Sequence, residues 1–241
     1  MAQFVNDTFT DADSTALTSH TGETGATWTK HGFSEDSAGS TDPIITSNLL
    51  RPRTTTALRT IYYASGSPAA ADYTVSVDYV VDASGVEATE IFGVVGRVAT
   101  GANTFYAALY MQSAGGIRIY KFVTGTGTVI VTAVSVTLSS SATYRLTLDM
   151  QGSTIAARFQ RASDSNWLTS SGTWQASQTN LGSTTDTAIT AAGKAGFWSN
   201  GTRPRGNNFS ADDVAGGTTA PINVLVPNQL LALSSATFRG V

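Results

Sequence analysis

The acid–base chemistry open to this chain rests on few residues. It has four glutamates (Glu23, Glu35, Glu87 and Glu90) and two histidines (His20 and His31) in 241 residues. Cleaving a glycosidic bond takes two carboxyl groups flanking it, one as acid and one as nucleophile or base. A strand presents such a pair on one face at alternate positions. The nearest approach is Glu87-Ala88-Thr89-Glu90, whose spacing of three sends the two carboxylates to opposite faces. It reads as a solvated turn before a strand that opens at Ile91. Asp78 and Asp82 share strand parity, but Asp82-Ala83-Ser84-Gly85 is turn sequence. The histidines sit beside threonine and glycine, outside any nucleophile-elbow or zinc-helix pattern, and read as surface or turn residues. There is no cysteine, so thiolate chemistry and disulfides are excluded. The glycines fall in turns, with no phosphate-cradling or dinucleotide fingerprint. The sequence therefore points away from an enzyme.

Binding chemistry is better represented. A sugar ring is held by an aromatic face together with hydrogen-bonding side chains. Trp28 and Trp198 lie in strand-like blocks and read as core. Trp167 and Trp174 bracket Leu168-Thr169-Ser170-Ser171-Gly172-Thr173, a hairpin-like segment that leaves them nearer solvent. Tyr62 and Tyr63 are adjacent, so on a strand one of them faces out. Trp167, Trp174, Tyr62 and Tyr63 are the glycan-stacking candidates.

The elements that must position these side chains are strands. In Tyr73-Thr74-Val75-Ser76-Val77-Asp78-Tyr79 apolar and polar residues alternate, the mark of a half-buried strand. Tyr144, Leu146, Leu148 and Met150 repeat the pattern, Gly152-Ser153 turns the chain, and Ile155, Ala157 and Phe159 return it. Ile117–Val123 and Val129–Val131 around Gly125-Thr126-Gly127 form a second hairpin. Glu90–Val98 and Thr104–Met111 add two strands. Thr15–Ser19 and Leu230–Ser234 are the only short helical candidates, and no repeat of solenoid or propeller length is present. The expected fold class is all-β, a two-sheet antiparallel sandwich of jelly-roll type.

Composition agrees. Serine and threonine make up about a quarter of the chain, while only 13% of residues are charged and the formal net charge is −3. That balance gives no general attraction to nucleic acid. No apolar run approaches the length of a membrane-spanning helix. Met1-Ala2-Gln3-Phe4, followed by Asp7, Asp11 and Asp13, lacks the basic and apolar regions of a secretory signal, so synthesis without classical export is expected.

Several blocks in order resemble the concanavalin A-like lectin/glucanase superfamily in its laminin-G-like form. They are Val5-Asn6-Asp7-Thr8-Phe9-Thr10 with Leu17 and Trp28, then Tyr144-Arg145-Leu146 through Ile155. Ala195-Gly196-Phe197-Trp198 and Asn207-Asn208-Phe209-Ser210-Ala211-Asp212-Asp213 complete the set. The resemblance covers about residues 3–214 and implies two packed antiparallel sheets with residues 3–9 beside 207–213. It also implies that a structural Ca²⁺ is conceivable near the joined termini, with Asp7, Asp11, Asp13 and Asp212 as its oxygen ligands; turn and cap aspartates are the competing reading. Sandwiches of this style recur in bacteriophage structural proteins. The resemblance thus implies a non-enzymatic virion protein, a head-decoration or fibre-like component, located in the virion. A glycan-binding module and a degenerate glycoside hydrolase are the alternatives.

Beyond Ala215-Gly216-Gly217-Thr218-Thr219-Ala220-Pro221 the composition changes. The sandwich is expected to span 1–217 and a docking tail 218–241. Ile222, Val224, Leu225, Val226, Leu230, Leu231, Leu233 and Phe238 crowd eight large apolar side chains into twenty residues. Pro221 and Pro227 prevent one continuous helix. Each such side chain gains roughly 1.5–3 kcal/mol on burial. The tail either covers an edge of its own sandwich or docks onto partner subunits, capsid or fibre proteins or copies of itself; the second reading is preferred.

Overall fold

The computed structural model describes residues 2–35, 42–53 and 58–214. The proposed domain boundary near 217 and all eight tail residues, Ile222 to Phe238, lie outside the described residues, as does Leu230–Ser234.

Strands dominate, in the order β1 (Gln3–Asp7), β2 (Thr15–Ala16), β3 (Trp28–Lys30), β4 (Ile44–Thr46), β5 (Leu49–Arg51) and β6 (Thr60–Ala64). Then come β7 (Tyr73–Val80), β8 (Ile91–Val98), β9 (Phe105–Met111), β10 (Gly116–Val123), β11 (Thr126–Ser135) and β12 (Thr143–Gln151). The set closes with β13 (Thr154–Arg161), β14 (Trp167–Leu168), β15 (Trp174–Gln175), β16 (Gly182–Thr185), β17 (Lys194–Asn200) and β18 (Arg205–Asp213). In place of the short helix at Thr15–Ser19 there is a two-residue strand and a single 3₁₀ turn, Leu17–Ser19.

Two antiparallel sheets face each other. The larger runs β15-β14-β13-β12-β7-β18-β5-β4-β2, with β1 also on β18 and β16 also on β13. The smaller runs β11-β10-β9-β8-β17-β6-β3. The two terminal blocks meet as the resemblance implied: Gln3 pairs with Asp212 and Asp7 with Phe209. The result is a two-sheet antiparallel sandwich, as expected.

Alternation decides which side chains are inside. From β7, Tyr73, Val75, Val77 and Tyr79 point between the sheets, and from β12 Tyr144, Leu146, Leu148 and Met150 join them. The intervening residues, Thr74, Ser76, Asp78, Arg145, Thr147 and Asp149, therefore line the outer face of the larger sheet. Two irregularities re-aim side chains. Arg97 has φ +50 where the β8–β17 register slips, and its guanidinium turns inward. Asn208 has φ +45 where the β18–β7 register slips, which returns Phe209 to the core. Asparagine tolerates this left-handed region better than most residues.

Candidate functional site

Glu87 and Glu90 do flank a turn before the Ile91 strand, closed by the Glu90 N–H on the Glu87 carbonyl at 3.0 Å, but the reading of that turn as solvated is corrected. Glu90 is buried and accepts the hydroxyl of Tyr79 and the backbone N–H of Glu87, the latter at 3.0 Å. Burial, with the nearby Glu87 charge, raises its pKa against the pull of those two donors. Glu87 is spent on the 202–203 loop, accepting the Thr202 hydroxyl at 3.0 Å and the Arg203 N–H at 3.3 Å. The surface reading of the histidines is corrected too. His20 is 4% and His31 2% exposed. His31 Nε2 sits 3.2 Å from the Ala99 carbonyl, and His20 lies between two carboxylates.

Those carboxylates belong to two of the four aspartates proposed for Ca²⁺. Asp7 is fully buried, and its oxygens meet the Phe9 N–H at 2.7 Å, the Trp28 indole N–H at 2.6 Å and His20 Nε2 at 2.9 Å. Asp11 takes His20 Nδ1 at 2.9 Å and caps the Ala12 N–H. Asp13 accepts the Ser47 N–H at 2.6 Å. Asp212 is on the outer face of β18, paired with Gln3 and Thr74, three positions along from Phe209, the partner of Asp7. The four are not brought together. Among the described residues no three histidine or acidic side chains converge as a metal site.

The aromatic candidates separate by face. Tyr62 is a correction: it points between the sheets, stacks on Phe197 at 5.9 Å and donates its hydroxyl to Asp42 at 2.5 Å. Trp174 is another. It pairs opposite the buried Leu168, packs on Tyr144 and Phe159, and carries the Arg161 guanidinium 4.6 Å from its ring centre, so its faces are taken. Tyr63 is the outward member of its pair, half-buried on the outer face of the smaller sheet.

That outer face is occupied by the chain itself. Phe33 lies against Phe105, Phe122 and Trp198, and the Arg59 guanidinium stacks 3.9 Å above the Phe33 ring. Arg59 also donates Nε–H to the Phe33 carbonyl at 2.8 Å, and Ser34 bridges to Ile61. Phe33 thus plugs the apolar hollow formed by Val95, Ala107 and their aromatic neighbours.

The outer face of the larger sheet is different. Trp167 pairs with Gln160 on β13 and faces away from the core, half-buried, with the Arg158 guanidinium 5.8 Å from its ring centre. Next along β13, a groove of about 400 Å³ opens over Ala156. Its walls carry Thr74, Gln151, Thr154, Gln178 and Asn180. Arg158 and Asp149 join across the floor by two hydrogen bonds, of 2.6 and 2.7 Å, and the Thr74 hydroxyl donates to Asp149 at 2.9 Å. Hydroxyls, amides and a paired ion beside an indole face make a set suited to a polyhydroxylated ring. Alternation alone exposes Asp149, Arg158 and Gln160. Thr74 on β7 and the 178–180 segment reach the groove only through the tertiary fold, so the sequence carried no signal for them.

No family model matches the sequence, and no curated protein does. Solved structures do match in fold. The carbohydrate-binding module CBM66 from Bacillus subtilis superposes with TM-score 0.52 at 14% identity, over 77% of this chain and 95% of that one. The exoplasmic/lumenal domain of VIP36 in its Ca²⁺- and mannose-bound form gives 0.56 at 11% identity, over 80% and 85%. The CBM2 module of the evolved Dit protein of Lactobacillus casei BL23 phage J-1 gives 0.53 at 12% identity, over 87% and 94%. At these identities the likeness is one of fold alone, that of the β-sandwiches of these carbohydrate-binding and lumenal domains.

Proposed function

We propose that this chain is a non-catalytic glycan-binding module that uses the outer face of its larger sheet. The observation that carries the reading is the groove over Ala156, with Trp167 beyond Arg158 on the same face of the sheet, set against a smaller sheet on whose outer face Phe33 packs. The sugar-binding names of two fold neighbours support it. Titration of the folded protein against a library of immobilised and soluble glycans tests it. Trp167→Ala is expected to weaken binding by roughly 1–3 kcal/mol, the loss of an aromatic contact. A folded protein that binds no glycan, or a Trp167→Ala variant with unchanged affinity for all of them, overturns it.

A second reading concerns where the module works. The module from a phage Dit protein supports a role as a component of a virus particle. In that reading the apolar segment from Ile222 to Phe238 docks the module to partner subunits, leaving the sandwich exposed. Mass spectrometry of purified particles, and loss of incorporation after truncation at Gly217, are the expected results. A truncated protein that still joins its assembly at full occupancy overturns the docking role.

A further inference from the structure

We infer that the groove takes an extended chain of uncharged sugars, held at several points along β13, and not a single ring or an acidic polymer. The inference rests on the glycan-binding reading above and goes beyond it in naming the ligand class.

The length follows from register. Thr154, Ala156, Arg158 and Gln160 are alternate residues of β13 and share its outer face. Trp167 stands opposite Gln160 on the neighbouring strand. From Thr154 to Gln160 the strand rises about 20 Å, at about 3.3 Å per residue. A single pyranose covers only part of that distance. The two ends also differ in chemistry. At one end the groove offers the Thr154 hydroxyl and the Gln178 and Asn180 amides over the small side chain of Ala156. Past Arg158, outside the groove but on the same face, Trp167 offers a flat apolar surface to the C–H face of a ring. A ligand that uses both must be a chain.

The lack of charge follows from pairing. Among the described residues only two ionised groups line the groove, and each neutralises the other: both Asp149 oxygens accept from Arg158, at 2.6 and 2.7 Å. A carboxylate or sulfate on the ligand would have to compete with Asp149 for that guanidinium while facing the Asp149 charge. A neutral hydroxyl meets no such opposition and finds donors and acceptors on every wall.

Calorimetric titration of the full chain with gluco-, manno-, galacto- and fructo-oligosaccharides of one to six units tests the inference, with oligogalacturonate as the acidic probe. In at least one neutral series affinity is expected to climb roughly tenfold or more with length before levelling, because linked subsites act together. The gain should change little with salt. Trp167→Ala should flatten it while keeping weak binding of short members. Asp149→Asn, which leaves Arg158 without its carboxylate, should gain affinity for oligogalacturonate. Equal affinity for single sugars and long chains overturns the extended site and leaves glycan binding standing. Tighter, strongly salt-dependent binding of oligogalacturonate by the unaltered protein overturns the neutral class. Absence of binding in every series, by protein that melts cooperatively, overturns both this inference and the reading beneath it.

Discussion

The indole N–H of Trp28 donates to the Asp7 carboxylate at 2.6 Å, joining a strand of the smaller sheet to a strand of the larger one. Asp7 also takes the Phe9 N–H and His20. Replacing it by alanine leaves three buried donors without an acceptor. Breaking a buried charged network of this kind costs about 3–5 kcal/mol. Asp7→Ala should therefore unfold at markedly lower urea with an unchanged slope, and Asp7→Asn should lose less. An Asp7→Ala midpoint within experimental error of the unaltered protein would refute the anchoring role.

His20 makes the same corner sensitive to pH. Burial alone would lower its pKa, but hydrogen bonds and charge from Asp11 and Asp7 outweigh it and raise the value above the unfolded reference of about 6.5. The folded state thus binds the proton more tightly. The stability this contributes is complete below the unfolded pKa and is lost as pH rises through the higher folded value. Thermal midpoints measured from pH 6 to pH 9 should fall, and His20→Gln should flatten that slope. A slope that persists unchanged in the variant would assign it to other groups.

Glu90 acts in a lower pH window with the same sign. Its carboxyl is buried against Tyr79, and burial raises its pKa above the unfolded value of about 4.3. The neutral acid is the form that suits the fold, so its contribution is complete below that value and declines as pH rises through the folded pKa. Glu90→Gln keeps an acceptor for Tyr79 without the charge. It should raise the melting temperature at pH 7 relative to pH 4, where the two proteins should melt alike. A variant that melts alike at pH 4 but lower at pH 7 would show that the charged carboxylate, with its donors Tyr79 and Glu87 N–H, is what the site requires.

Arg97 holds one end of the sandwich together. Its guanidinium donates to the carbonyls of Ala71 at 2.9 Å, Ile189 at 2.7 Å and Gly152 at 2.9 Å, which belong to three separate loops. Lysine has the charge but not the planar fork that reaches three acceptors. Arg97→Lys should lose about 2–4 kcal/mol, as buried carbonyls lose their donor. Hydrogen exchange should speed up in the β12–β13 turn and around Ile189 before it does in the strands. Uniform exchange across the molecule would count against a local clamp.

Alternation in β7 and in the β12–β13 hairpin made the inward set Tyr73, Val75, Leu146, Leu148, Ile155 and Phe159 legible at once, because the strand period of two is written in the residue types. The same period exposed Arg158 and Asp149. What it could not tell was that Thr74, Gln178 and Asn180 gather around them, since those contacts join segments far apart in sequence.

The misreadings have a common physical cause. Glu90 and His20 looked like solvated turn or surface residues because charged groups usually are, and Asp7 like a metal-ligating or turn aspartate. Each is buried with hydrogen-bonding partners up to 21 residues away, and only the packed sheets bring those partners in. Tyr62 and Tyr63 had to face opposite ways, but which one faced in depended on the pairing of β6 with β17, where Tyr62 meets Phe197. The sequence by itself determined the fold class and the antiparallel hairpins, because these follow from local period and turn chemistry; the meeting of the two terminal blocks was implied by the family resemblance alone. The tertiary structure alone decided which sheet, among the described residues, keeps an open face: Phe33 packs into the outer hollow of the smaller one, while on the larger one the Asp149–Arg158 pair lines a groove beside Trp167. A loop's landing place on a distant sheet depends on shape complementarity, which no local pattern encodes.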